Sequence, residues 1–144
     1  MPCIAVLEGP AVGSGCEIAG ACDFIVATPA ASFRTPEALR GTVGATQRLP
    51  RILGKRLAKD LMFTGRTLSA EEALRAGLVA RVVSNLEDEM KAISENIAKA
   101  PPHAMRVAKR CIDRGVELDP AGALALEIEA IEEQLQSGNW MGKK

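Results

Sequence analysis

Two glutamates are the residues of this chain best suited to acid–base chemistry. Glu17 and Glu37 stand twenty positions apart; Glu17 lies in a glycine-rich stretch and Glu37 directly follows a proline. Two carboxylates held in different protonation states can divide the work of a general base and a general acid. Taken alone, each glutamate is more typical of a surface or helix-capping carboxylate than of a catalytic one, so the surrounding sequence must decide between these interpretations.

The stretch 9–23 lies between two apolar runs. The runs are typical of strands, and the stretch between them is typical of a glycine-rich turn followed by a short helix. Gly13 and Gly15 permit a positive φ and let a ligand approach the backbone closely. A helix that begins near Ser14 or Gly15 leaves its first N–H groups without helical partners. Together with the helix dipole, those groups suit an oxygen that carries or develops negative charge.

Other interpretations of this stretch remain open or are excluded by spacing. An ordinary strand-to-helix turn with no ligand fits the same residues. A dinucleotide fingerprint is excluded because Ile18 stands where the third glycine or alanine is required. A P-loop is excluded because no Gly-Lys-Ser/Thr run follows.

Composition narrows the class of protein. The 144 residues have a formal net charge of zero, which argues against nucleic acid or an anionic membrane as a partner. No apolar run is long enough to span a bilayer, and no signal or transit peptide is visible at the start of the chain. The four cysteines form no Cys-x-x-Cys pair and only one histidine is present, so no metal site is predicted. Cys16 and Cys22 are expected to be packed thiols.

The apolar runs predict strands at 4–7 and 24–27 with a helical crossover, and therefore parallel pairing. A short third strand is expected at 32–34, and another at 78–83. Helices are predicted at 47–53 and 55–63, separated by Gly54. Ser69 and Glu72 form a capping box for the next helix, which Gly77 ends. Asp23 is expected to be a structural hydrogen-bonding residue.

From Asn85 onward the pattern is helical, with helices at about 85–100, at 103–114 and from Asp119 to Gly138. The chain is therefore predicted to divide into an α/β part, residues 1–84, and a helical part, residues 85–144.

Many short blocks, in the same order and at the same spacing, resemble the enoyl-CoA hydratase/isomerase (crotonase) superfamily from Pro2 to about Asp119. They include Gly13-Ser14-Gly15-Cys16-Glu17-Ile18-Ala19, Pro36-Glu37, Thr46-Gln47-Arg48-Leu49-Pro50-Arg51, Phe63-Thr64-Gly65-Arg66 and Ala76-Gly77-Leu78-Val79. The resemblance implies an α/β fold: the later turns of a ββα spiral, followed by an α-helical C-terminal region that assembles trimers or dimers of trimers.

The resemblance also implies an activity, the addition of water to a 2-enoyl-CoA thioester to give a 3-hydroxyacyl-CoA. Glu17 would activate the water and Glu37 would exchange the proton at Cα. The backbone N–H of Ser14 would be an oxyanion donor, and Gly13, Gly15 and Gly44 would lie against the substrate. No cofactor is implied, since CoA is part of the substrate, and the compartment would be the mitochondrial matrix or the bacterial cytoplasm.

Two departures from the family pattern keep alternatives open. The family takes its other oxyanion donor from a portion N-terminal to the matching blocks. The family run Gly-x-x-Pro-Gly-x-Gly-Gly-Thr-Gln-Arg is three residues shorter here, between Gly41 and Arg48. The alternatives are a truncated, inactive member that acts in oligomer assembly, and an isomerase that moves the double bond between positions 3 and 2.

Overall fold

The computed structural model describes residues 1–138, which fold as two compact units. One unit is Cys3–Ala92, and the other begins at Ile93 and includes Met1–Pro2. The strands are β1 (Ile4–Leu7), β2 (Pro10–Val12), β3 (Phe24–Ala27), β4 (Ser32–Arg34), β5 (Leu68–Ser69) and β6 (Arg81–Val82). The helices are α1 (Ser14–Ala21), α2 (Arg48–Thr64), α3 (Ala70–Arg75), α4 (Leu86–Lys99), α5 (Pro102–Gly115) and α6 (Pro120–Ser137), with a 3-10 turn at Ala38–Arg40.

The first sheet has the order β1-β3-β6 and is parallel throughout. β1 pairs with β3 from Ile4 opposite Phe24 to Leu7 opposite Ala27, which confirms the predicted parallel pairing. The central strand β3 is buried at Ile25, Val26 and Ala27. Its two edges pair with β1 and β6, and the faces of a parallel sheet are normally covered by packed elements.

A second sheet has the order β2-β4-β5, with β2 parallel and β5 antiparallel to β4. β2 lies where the sequence predicts a turn, and that prediction was wrong. Three residues that begin with a proline carry little strand signal, and Pro10 is tolerated because it opens an edge strand. β2 matters for the site, because its last residue, Val12, leads directly into Gly13.

The core of this unit is one apolar cluster contributed by both sheets, α1, α2 and α3. Its largest members include Ile25, Phe33, Leu49, Leu61 and Leu68, each at most 3% exposed. This packing holds β2, α1 and β4 in fixed positions, and those three elements supply the candidate site.

Glycines interrupt or end helices, and a side-chain cap begins one, where the sequence predicts. Gly54 has φ 76° and ψ 156° and interrupts α2, which is therefore two helices joined at a kink. Ser69 and Glu72 form the predicted capping box at α3. Leu78 and Val79 are buried but belong to a turn, since both of their N–H groups donate to the carbonyl of Ala73. The predicted strand at 78–83 is thus only two residues long.

The helical predictions after Asn85 are confirmed. The side chain of Asn85 accepts from the N–H of Asp88 at the start of α4, and Asp119 accepts from Ala121 and Gly122 at the start of α6. Within the unit that begins at Ile93, α5 and α6 form a hairpin in which Arg110 pairs with Glu133 at 3.0 Å. The division at 84/85 into a site region and an assembly region stays a prediction. Of the helices in residues 1–138, none has the length and apolarity needed to cross a bilayer.

The capping box gives a stability prediction. Ser69 donates its N–H and its hydroxyl to Glu72, and these bonds hold the pKa of the Glu72 carboxyl below its ordinary value. Replacing Ser69 with alanine should lower the free energy of unfolding by about 1 kcal/mol in urea titrations near neutral pH. Ser84→Ala, at an exposed serine outside any helix, is the matched control and should change little.

The pH dependence of this effect follows from the sign of the pKa shift. A lowered folded-state pKa stabilises the protein above the unfolded-state pKa of Glu72, and that contribution is lost as the pH falls through the folded-state value. The cost of Ser69→Ala should therefore shrink in acid. A cost that stays constant or grows in acid would contradict the role assigned to the Glu72 carboxylate.

Candidate active site

The bend between β2 and α1 is fixed by backbone bonds around Gly13. Its N–H donates to the carbonyl of Arg34 on β4 at 2.9 Å, and its own carbonyl accepts from Cys16 at 2.9 Å and from Glu17 at 3.3 Å. Gly13 has φ 57° and ψ −120°, which a residue with a side chain rarely adopts. The predicted bend is therefore present, and it needs glycine at position 13.

The predicted helix start is confirmed, since α1 begins at Ser14. Ser14 is exposed, and as the first residue of a helix it has an N–H with no partner inside that helix. Gly15 lies within the helix and does not have a positive φ; the nearest atom to a Cβ built there is the Ala11 Cβ at 3.9 Å. Its place as a substrate-binding residue stays a prediction.

The Glu37 carboxylate lies against the bend. A Cβ built on Gly13 would come within 2.6 Å of Glu37 Oε1, and one built on Gly44 would come within 3.1 Å of Glu37 Cγ. Glu37 Oε2 is buried and accepts no hydrogen bond from the residues that the structure describes. Buried carboxylate oxygens are normally paired, so this oxygen has an unused capacity to accept a proton donor.

Glu17 is held by the loop that precedes α2. Its Oε1 accepts the N–H of Ala45 at 2.7 Å. Ala45 is buried and has φ 56°, the only positive φ among the described residues that are not glycine. When the family run quoted above is aligned on Thr46-Gln47-Arg48, a glycine stands at position 45. Position 45 is therefore left-handed although it holds alanine, and glycine would adopt that conformation at lower energetic cost.

The two carboxylates contact adjacent residues of the loop that precedes α2. Glu37 packs on Gly44, and Glu17 bonds to the next residue, Ala45. Both also act on the thiol of Cys16, whose pKa is raised first by burial and then by the charges of Glu37 and Glu17, against a lowering by the Arg34 backbone. The structure therefore brings Gly13, Glu17, Glu37 and Gly44 together around one point.

Two supports of this site were not predicted from the sequence. The buried Cys16 thiol donates to the carbonyls of Ala11 at 3.0 Å and Arg34 at 3.4 Å, and so ties α1 to the middle of β2 and to the end of β4. Ala45 anchors Glu17, and no property of alanine in a sequence signals a left-handed conformation. Within residues 1–138, no group of His, Cys, Asp or Glu side chains is arranged to hold a metal ion.

Comparison with known proteins gives one consistent answer. A model of the family described as "Enoyl-CoA hydratase/isomerase" matches residues 1–141. The chain is 44% identical over 137 residues to the short-chain-enoyl-CoA hydratase of Clostridium acetobutylicum, with 92% of this chain and 52% of that protein covered. It is 40% identical over 134 residues to the crotonyl-CoA hydratase of Syntrophomonas wolfei, with 90% and 52% covered.

Solved structures agree in fold. The enoyl-CoA hydratase of Bacillus anthracis superposes with a TM-score of 0.84 at 38% identity, covering 92% of this chain and 54% of that one. A Thermobifida fusca protein solved in complex with acetoacetyl-CoA gives a TM-score of 0.88 at 29% identity, covering 93% and 55%. The α/β fold with a helical C-terminal region is thereby confirmed, and the chain spans about half the length of the relatives it matches. On its sequence, its fold and its glycine bend, the chain belongs to the enoyl-CoA hydratase/isomerase family.

Proposed function

We propose that this chain carries the acid–base half of an enoyl-CoA hydratase site. The reaction is the reversible addition of water across the double bond of a 2-enoyl-CoA thioester, giving a 3-hydroxyacyl-CoA. The observation that carries the proposal is Glu37 Oε2, which is buried and accepts no hydrogen bond from the described residues. The Glu37 carboxylate lies beside the glycine bend, and its side chain packs on Gly44, the residue before the one that anchors Glu17.

Each residue then has one task. One carboxylate oxygen of Glu17 accepts the Ala45 N–H. The other oxygen holds the water molecule and takes a proton from it as the water attacks Cβ. Glu37, which packs on Gly44, delivers a proton to Cα. The N–H of Ser14, at the start of α1, donates to the thioester oxygen as negative charge develops there. None of these steps requires a resident cofactor.

Glycine fits the three backbone positions for separate reasons. Gly13 has no side chain that would displace the Glu37 carboxylate, and Gly44 leaves room for the Glu37 stem. We propose that Gly13, Gly15 and Gly44 also let the thioester approach the backbone, since none of the three carries a side chain of its own.

Hydration of crotonyl-CoA by the purified protein tests the proposal. Glu37→Gln keeps the shape of the side chain but removes the transferable proton, so kcat should fall by roughly 10² to 10⁴. Glu8→Gln, at an exposed glutamate outside the site, is the matched control and should retain full activity. Unchanged hydration in Glu37→Gln would reject the assignment.

The isomerase alternative predicts a different dependence on Glu17. A shift of a double bond needs no attacking water, so activity on a 3-enoyl-CoA that survives Glu17→Gln would favour isomerisation. Loss of hydration in both Glu17→Gln and Glu37→Gln would favour the hydratase.

A second prediction separates the two reasons for glycine at position 13. Gly13→Ala and Gly77→Ala both place a side chain at a positive φ, so each should lower the unfolding free energy in urea, by about 1–2 kcal/mol at Gly77. The loss should be larger at Gly13, because its ψ of −120° lies outside the left-handed helical region. Only at Gly13 does the new Cβ meet another group, the Glu37 carboxylate. Gly13→Ala should therefore also lose hydration activity, whereas Gly77→Ala should keep it. Equal activities in the two variants would contradict this account of the bend.

A second candidate function, assembly of an oligomer through the helical region, has its own observation. Leu124, Ile128, Ile131 and Leu135 on α6 are 48–56% exposed. Their spacing of four, three and four residues puts them in one row along the helix, as in a coiled-coil seam. We propose that this row joins copies of the chain into trimers or dimers of trimers. An inactive, assembling member of the family would show this property without hydration.

Sedimentation measures the assembly directly. Ile128→Glu places a charge in the middle of the apolar row, and the sedimenting species should fall to a smaller size at the same protein concentration. Glu129→Gln changes a neighbouring exposed position and should leave the size unchanged. An unaltered oligomer in Ile128→Glu would exclude this face as the contact.

A further inference from the structure

Cys3 and Cys22 form a pair of neighbouring thiols, referred to below as the thiol pair. Their Sγ atoms are 3.5 Å apart. Cys3 is exposed and Cys22 is half-buried at the end of α1, so Cys22 is not the fully packed thiol that the sequence suggested. We propose that the thiol pair is a redox site that forms a reversible intramolecular disulfide with low-molecular-weight disulfides, such as oxidised glutathione, as the oxidant.

The backbone holds the two cysteines in place. The N–H of Cys3 donates to Asp23 Oδ2 at 2.6 Å, and the N–H of Asp23 donates to the carbonyl of Cys3 at 2.7 Å. These reciprocal bonds confirm the structural role expected of Asp23. They also fix Cys3 beside the residue that follows Cys22, at the point where β1 and β3 begin to pair.

A disulfide requires the sulfurs to close from 3.5 Å to about 2.05 Å. The exposure of Cys3 gives a dissolved disulfide access to the first sulfur. Cys16 does not compete, because it is 1% exposed and its thiol donates to two backbone carbonyls.

The reaction balances with the named oxidant. The Cys3 thiolate attacks one sulfur of the dissolved disulfide, which releases one thiolate and leaves a mixed disulfide on Cys3. The Cys22 thiolate then attacks the Cys3 sulfur and releases the second thiolate. The two protons lost by the cysteines are taken up by the two released thiolates, so the chain is oxidised by two electrons and one dissolved disulfide is reduced to two thiols.

The bond would close a loop that contains β1, β2, the glycine bend and Glu17. A cross-link restricts the unfolded chain, so the oxidised protein should unfold at a higher urea concentration than the reduced protein. The inference does not depend on the proposed function, because none of the groups that form or hold the thiol pair takes part in hydration.

The test uses the full chain, first reduced and then equilibrated with mixtures of oxidised and reduced glutathione in the absence of oxygen. Alkylation followed by intact mass spectrometry should show a loss of two of the four thiols and of the mass of two hydrogen atoms. A non-reducing digest should contain a peptide that joins Cys3 to Cys22, and dithiothreitol should abolish it. Cys111→Ser is the matched control and should form the same bond.

Cys22→Ser should stop at a mixed disulfide between Cys3 and glutathione. It should also lose the difference in urea midpoint between the oxidised and reduced forms. The proposal is overturned if wild-type protein stops at the mixed disulfide, if the joined peptide contains another cysteine, or if Cys111→Ser prevents the bond.

Discussion

The Glu37 carboxylate can lie against the start of α1 only because position 13 has no side chain. The same glycine supplies the backbone conformation that turns β2 into α1, and its N–H ties the bend to β4, two residues before the proline that precedes Glu37. One residue thus fixes the bend, the neighbouring strand and the space for the carboxylate. The start of α1 and the Glu37 carboxylate are therefore positioned together.

The second glutamate depends on a less favourable arrangement. Glu17 is anchored by the N–H of Ala45, and that N–H points correctly only while Ala45 holds a left-handed conformation. Such a conformation costs alanine about 1–2 kcal/mol relative to a right-handed one. The packing that buries Ala45 offsets this cost. The position of the Glu17 carboxylate therefore depends on the packing that holds Ala45 in its strained conformation.

Local signals in the sequence predicted the parts of the fold that are governed by local physics. The capping box at Ser69, the breaks at Gly54 and Gly77 and the helix starts near Asn85 and Asp119 all depend on a few adjacent residues, and all were predicted. β2 was not, because a strand of three residues is stabilised by its partner β4 rather than by its own composition. The closeness of Cys3 and Cys22 was also hidden, since it follows from the parallel register of β1 and β3.

The edge strands β1 and β2 have a consequence for solubility. β1 and β2 are the outermost strands of their sheets, so within residues 1–138 each has one side without a neighbouring strand. Val6 and Val12 on these strands are 46% and 47% exposed. Open strand edges with apolar side chains can pair with strands of other molecules and so promote aggregation. Pro10 has no N–H to offer such a partner, but it protects only the edge formed by β2. Colloidal behaviour at high concentration should therefore respond to polar substitutions at Val6 more than to changes near Pro10.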